Sequence, residues 1–149
     1  MKNVAVIGGG PAGLMAAEVL ASSDGLNVHL FEAKPSVGRK FLIAGKGGLN
    51  LTHAEPFVQF VERFSPEYGT IRKWLESFGP EELREWSREL GVETFVGPSG
   101  RVFPVGLKAF PLLQRWLQRL RSAGVTFHTR HRWLGWNSER DLIFSTPTG

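Results

Sequence analysis

The sequence predicts an α/β fold built around a parallel sheet, and three observations carry that expectation. An apolar, β-branched run at residues 4–7 leads directly into Gly8, Gly10 and Gly13. Those glycines open a stretch of good helix formers, after which a second apolar run at residues 27–31 ends on an acid, Glu32, 19 residues beyond Gly13. Strand, glycine turn, helix, strand and acid in that register make a Rossmann-like βαβ unit.

Residues 4–7 read VAVI, the pattern of a strand buried on both faces of a parallel sheet. Pro11 stands where a helix begins without losing a needed N–H, and residues 14–20 continue that helix. Asp24-Gly25 turns the chain into the second strand. Residues 34–53 then shift to glycine, lysine and small side chains with no sustained period, which predicts a long binding loop. From 56 to 90 the pattern is helical. Phe57, Phe60, Val61 and Phe64 share one stripe, and Leu75, Phe78, Leu83, Trp86 and Leu90 indicate two more short helices divided at Gly79-Pro80. Residues 97–104, GPSGRVFP, read as a turn and an extended segment. Leu107, Phe110, Leu113, Leu117 and Leu120 recur at helical spacing up to the stop signal Gly124. Residues 125–129 form a third strand, and 133–136 with 142–145 a hairpin across 137–141.

Bulk properties bound the function. At 149 residues and 42% hydrophobic content the chain can bury roughly two thirds of its unfolded surface in one ordinary core. It has no cysteine, which excludes a disulfide framework, a thiolate zinc site and a Cys-x-x-Cys redox pair. The net charge of +4 is unevenly placed: residues 33–54 carry Lys34, Arg39, Lys40 and Lys46 and no acid, while 76–93 is mostly acidic. The amino terminus loosely imitates a secretory leader, but its glycines, Pro11 and Glu18 break the apolar helix that a leader requires. No stretch has the 18 or so apolar residues of a membrane span. The expectation is a cytoplasmic protein with no membrane partner.

The glycines have separate tasks. Gly8 permits the tight turn, Gly10 lets backbone approach a pyrophosphate, and Gly13 lets helix lie close to strand. Free N–H groups and the helix dipole then face an anion. Glu32 is placed to accept hydrogen bonds from both ribose hydroxyls, and its charge would repel the 2′-phosphate of NADP. It does not separate NAD from FAD. The segment beyond it does, because an NAD-binding unit usually proceeds into a crossover helix whereas this chain enters a basic glycine loop. Arg39 can reach the same pyrophosphate.

Glu32, five residues, and then GRKFLIAGKGGLNLTH at 38–53, with GRVFP at 100–104, resemble the BaiN/YhiN-like flavoproteins along the whole chain. That family implies an NAD(P)/FAD-dependent oxidoreductase that moves hydride between NAD(P)H, flavin and a small-molecule substrate. Where much of the family has glycines followed by Arg-Cys-Asn, this chain has Lys46-Gly47-Gly48-Leu49-Asn50, so the Arg-Cys pair has no counterpart. The resemblance further implies that the chain is the N-terminal part of a longer FAD-binding domain and, alone, inactive. Within it, 1–54 would be the dinucleotide-binding unit with its basic loop, 55–104 a helical insertion, and 105–149 a helix, the third strand and the start of a β-meander. Uncovered sheet edges would favour self-association. The expected cofactor contacts are Gly8, Gly10, Pro11, Ala12, Gly13, Glu32, Ala33, Arg39, Lys40, Lys46 and Asn50. Catalytic residues do not stand out.

Other constellations have plainer readings. His128 and His131 suggest a metal, but on a continuous strand they would face opposite ways with no acid or cysteine beside them. Lys108, Arg115 and Arg119 share a helix face, a solvated stripe more often than a nucleic-acid surface. Trp74, Trp86 and Trp116 fall at core spacing. Lys46 stands either as a solvated loop charge or near the flavin, where it would stabilise the reduced anion. The alternative to a flavoenzyme is a nucleotide-binding or tRNA-associated module without redox turnover.

Overall fold

The computed structural model describes residues 1–64, 66 and 68–148. It comprises two compact units, Met1–Ile43 with Trp116–Gly149, and Ala44–Arg115. In the first, β1 (Lys2–Ile7), β2 (Leu26–Glu32) and β6 (Thr126–Thr129) form a parallel sheet in the order β1-β2-β6. The fold is of the Rossmann type. Val4 lies opposite Val28 and Val6 opposite Leu30, and Val6, Val28 and Leu30 are buried together with Leu14 and Ala17 of α1 (Pro11–Ala21). The run at 4–7 is therefore buried on one face and not on both: Val6, and in part Val4, meet α1, whereas Ala5 and Ile7 on the other face are exposed.

After β2 the chain forms α2 (Arg39–Ala44), a six-residue helix within the stretch expected to be a loop. The second unit follows, with α3 (Phe57–Glu62), α4 (Tyr68–Ser77) and α5 (Pro80–Glu89). Glu82 accepts a hydrogen bond from the Gly79 N–H at 3.0 Å, which fixes the start of α5 where Gly79-Pro80 predicts a break. This unit also holds an antiparallel sheet of β3 (Thr52–His53), β5 (Arg101–Pro104) and β4 (Thr94–Val96), in that order. Composition alone does not announce that sheet. Trp74 is 65% exposed rather than packed, because α4 turns Ile71 and Leu75 inward. Trp86 and Trp116 are buried as expected.

The chain regains the parallel sheet through α6 (Ala109–Ser122). Its buried residues are Ala109, Leu112, Leu113, Trp116 and Leu120, so the expected stripe holds at Leu113 and Leu120 and fails at its start, Leu107 and Phe110. Leu107 is in the left-handed region at φ 62 and precedes the helix, and both it and Phe110 are exposed. Arg119 pairs with Glu18 at 3.0 Å, and Arg115 donates to the Leu90 carbonyl at 3.3 Å. Two members of the expected basic stripe, Arg115 and Arg119, therefore have structural partners, while Lys108 is exposed just before the helix. Finally, β7 (Arg132–Trp136) and β8 (Leu142–Ser145) make the expected hairpin.

The His-Thr-Arg-His segment departs from the alternation expected of a strand. β6 stops at Thr129 and Arg130 takes φ 60, so His131 comes round to the side of His128, with ring centroids 5.5 Å apart. His128 stacks on Phe31 at 4.5 Å and its Nε2 lies 3.0 Å from His29 Nδ1. Among the described residues no group of three His, Cys, Asp or Glu could hold a metal ion. Among them, too, no helix is long and apolar enough to cross a membrane.

Candidate dinucleotide site

The site is built where β1 gives way to α1. Gly8 follows the strand at φ 104 and donates to the Phe31 carbonyl at 2.8 Å, so the turn is tied to β2. Only glycine adopts that backbone without strain. Gly10 caps α1 with extended backbone and no side-chain bond, and Pro11 takes the first helical position. A Cβ added at Gly10 would meet no protein atom within 4 Å, whereas one at Gly13 would overlap the Gly8 carbonyl oxygen. Gly13 is therefore needed for packing, and Gly10 opens onto free space. The helix dipole and the uncapped first turn make that space favourable to an anion.

Glu32 closes one side. Its Oε2 accepts from the Gly9 N–H at 2.9 Å and its Oε1 from the Lys34 N–H at 2.7 Å. Each oxygen keeps further acceptor capacity, since a carboxylate offers about four lone-pair positions. Its own carbonyl receives the His131 N–H at 3.0 Å, and the Lys34 carbonyl receives that of Arg130 at 3.0 Å. The end of β2 is thus held from both sides.

A cavity of about 420 Å³ lies against these groups, lined by Gly9, Gly10 and Glu32, by Lys34, Ser36, Arg39 and Lys40, and by Ile43. The guanidinium of Arg39 lies 3.4 Å from Ser36 Oγ. Three cations face one carboxylate around this cavity, a balance suited to a diphosphate bearing a ribose. Of the expected contacts, the structure brings Gly10, Glu32, Arg39 and Lys40 to one cavity, with Gly8, Pro11, Ala12 and Gly13 forming the turn and Ala33 directly after the acid. Lys46 and Asn50 belong to the second unit. Lys46 is exposed in a turn, and the Asn50 amide, turned to donate, reaches the Thr52 and Val102 carbonyls at 2.8 and 3.3 Å. Gly9, Lys34, Ser36 and Ile43 complete the lining and are not among the contacts that the sequence predicts. For Lys34 the basic, acid-free composition of 33–54 was the available signal; Gly9 had none beyond the run of three glycines.

The model of the HI0933-like protein Rossmann domain matches residues 2–148. The chain belongs to that family. This HI0933-like domain is 32% identical over 130 residues to a 3-dehydro-bile acid delta(4,6)-reductase of Clostridium scindens, covering 87% of the chain and 31% of the relative. A stretch of 36 residues is 58% identical to a thiamine thiazole synthase of Solidesulfovibrio magneticus, 24% of the chain and 13% of that protein. Among solved structures, a 3-ketosteroid-delta4-(5alpha)-dehydrogenase from Rhodococcus jostii aligns with a TM-score of 0.64 at 16% identity, over 97% of this chain and 42% of that one. THI4 of Thermovibrio ammonificans aligns with a TM-score of 0.53 at 21% identity, over 95% and 45%. These likenesses are of fold. The HI0933-like domain spans less than half the length of each.

Proposed function

We propose that the chain is the FAD-binding portion of a flavin-dependent oxidoreductase that takes electrons from NAD(P)H and passes them to a small-molecule substrate. The observation that carries this reading is the meeting of three features on one cavity: the open glycine turn at the start of α1, the carboxylate of Glu32, and Arg39 with Lys40. The similarity to a protein named a reductase supports the oxidoreductase class.

The residues would divide the work by charge. The amides at Gly10 and the first turn of α1 would hold the pyrophosphate, with Arg39 and Lys40 neutralising its remaining charge. Glu32, its geometry set by the Gly9 and Lys34 amides, would take the adenosine ribose hydroxyls and disfavour a 2′-phosphate there. Bound FAD would supply the hydride chemistry, which no side chain of the cavity could replace. The test is direct. The full-length protein is purified, reconstituted with FAD and freed of excess; visible flavin absorbance that NADH or NADPH bleaches without air is expected, and no retained flavin would refute the reading.

A further inference from the structure

Gly9 is the position that the glycine fingerprint leaves unspecified, yet the structure makes it a junction. Its N–H goes to Glu32 Oε2 at 2.9 Å, and its carbonyl accepts the N–H of Gly38 at 2.7 Å, immediately before Arg39. The phosphate turn is thereby joined through one residue both to the acid of β2 and to the segment that leads into α2. Space at this junction is tight. A Cβ on Gly9 would stand 2.5 Å from Val37 Cγ1, 2.9 Å from Val37 Cβ and 3.1 Å from Glu32 Oε2. Val37 is itself buried, at 7% exposure, so it cannot swing into solvent without leaving its packing. Gly9 does not have positive φ, and an alanine could adopt its backbone. The requirement for glycine here comes from contact and not from conformation.

We infer that Gly9 and Val37 form a size-matched pair that positions Glu32 and Arg39 relative to each other for one dinucleotide. The inference rests on the dinucleotide reading of the cavity and assigns the pair a positioning role within it. An alanine at residue 9 must push Val37 outward by about 1 Å to reach ordinary contact, carrying the 38–39 segment with it and pressing on the carboxylate. Charge-assisted hydrogen bonds are sensitive to such displacements. Relief at Val37 should restore the geometry.

The experiment is calorimetric titration of the cofactor-stripped full-length protein with ADP, for wild type, Gly9→Ala, Val37→Ala and the double variant, with thermal unfolding followed alongside. Gly9→Ala is expected to weaken ADP about tenfold, the scale of one misplaced charge-assisted bond. Val37→Ala alone should lose thermal stability and weaken ADP by less than Gly9→Ala, because it leaves a space at the junction rather than a clash. The double variant should recover most of the affinity although it carries both substitutions. A role in folding alone would couple the two substitutions in stability, because the residues touch, but would leave the ADP affinity of folded Gly9→Ala protein unchanged. Unchanged binding in Gly9→Ala, or a folded double variant no better than Gly9→Ala, overturns the inference and leaves the dinucleotide reading intact. Should Gly9→Ala fail to fold, a folded, ADP-binding double variant supports the pair and an unfolded one overturns it. No ADP binding by wild type would remove the dinucleotide reading and this inference together.

Discussion

Replacing Glu32 by alanine withdraws two acceptors from backbone and, on the proposed reading, two from ribose. The protein-side cost follows from burial. Gly9 is buried, so its N–H loses its carboxylate partner with little access to water, a cost of about 1–2 kcal/mol; Lys34 is exposed and its N–H can hydrate. The ligand-side cost is larger. Two hydroxyl-to-carboxylate bonds at a half-buried site should together contribute about 2–3 kcal/mol, roughly 30- to 150-fold in affinity. Calorimetry with ADP measures that loss, and chemical denaturation measures the stability term separately. Loss of the anion also predicts weaker discrimination against ADP carrying a 2′-phosphate, which a change in folding alone would not produce. A folded Glu32→Ala protein with wild-type ADP affinity and unchanged discrimination would show that Glu32 serves the backbone only.

Gly10→Val places a branched side chain into space that no protein atom occupies within 4 Å, on extended backbone that valine adopts. The fold should survive with a helix-cap penalty of about 1 kcal/mol, while ADP affinity drops at least about a hundredfold as the amide contacts are blocked; retained ADP binding would relocate the site. A second prediction concerns pH. Burial, and then the nearby His29 and His131, hold the His128 imidazole below its ordinary value. The unfolded chain therefore takes this proton first, so the contribution to stability is full above the ordinary value of about 6.5 and is lost as pH falls through the lowered one. His128→Phe, which keeps a ring against Phe31, should flatten the pH dependence of unfolding free energy over that acidic window, and an unchanged slope would show that another group is responsible.

The parts of the fold visible in the sequence are those whose physics is local. VAVI before a glycine turn, Pro11 at a helix start and Glu32 at a strand end each occupy a few consecutive residues, and the structure places all of them in one βαβ unit. The missed parts have short or remote causes. α2 has six residues and none buried, too little for a helical period to show against a glycine-rich background. The strands β3, β4 and β5 run to two, three and four residues, and β3 pairs Thr52 with Val102 across some fifty residues of chain. Phase errors arise similarly. Leu107 continues the apolar spacing of α6 but lies beyond its end because the turn at Gly106 precedes it, and His131 leaves strand alternation because Arg130 takes positive φ.

The same distinction runs through the site. Residue type reveals the groups that would touch a ligand, since a carboxylate, a guanidinium and an open glycine are chemically unlike their neighbours. It does not reveal what holds them at working distance. Gly9 meets Val37 only because the segment after β2 folds back on the phosphate turn, a contact between residues 28 positions apart with no local signature. In a one-dimensional pattern the residue between Gly8 and Gly10 is therefore free, while in three dimensions it is constrained as Gly8 is, though by a neighbour rather than by its own backbone. That difference in cause makes the constraint testable: strain at Gly8 is intrinsic to φ 104 and nothing at another residue can relieve it, whereas the crowding at Gly9 should yield when Val37 is made smaller.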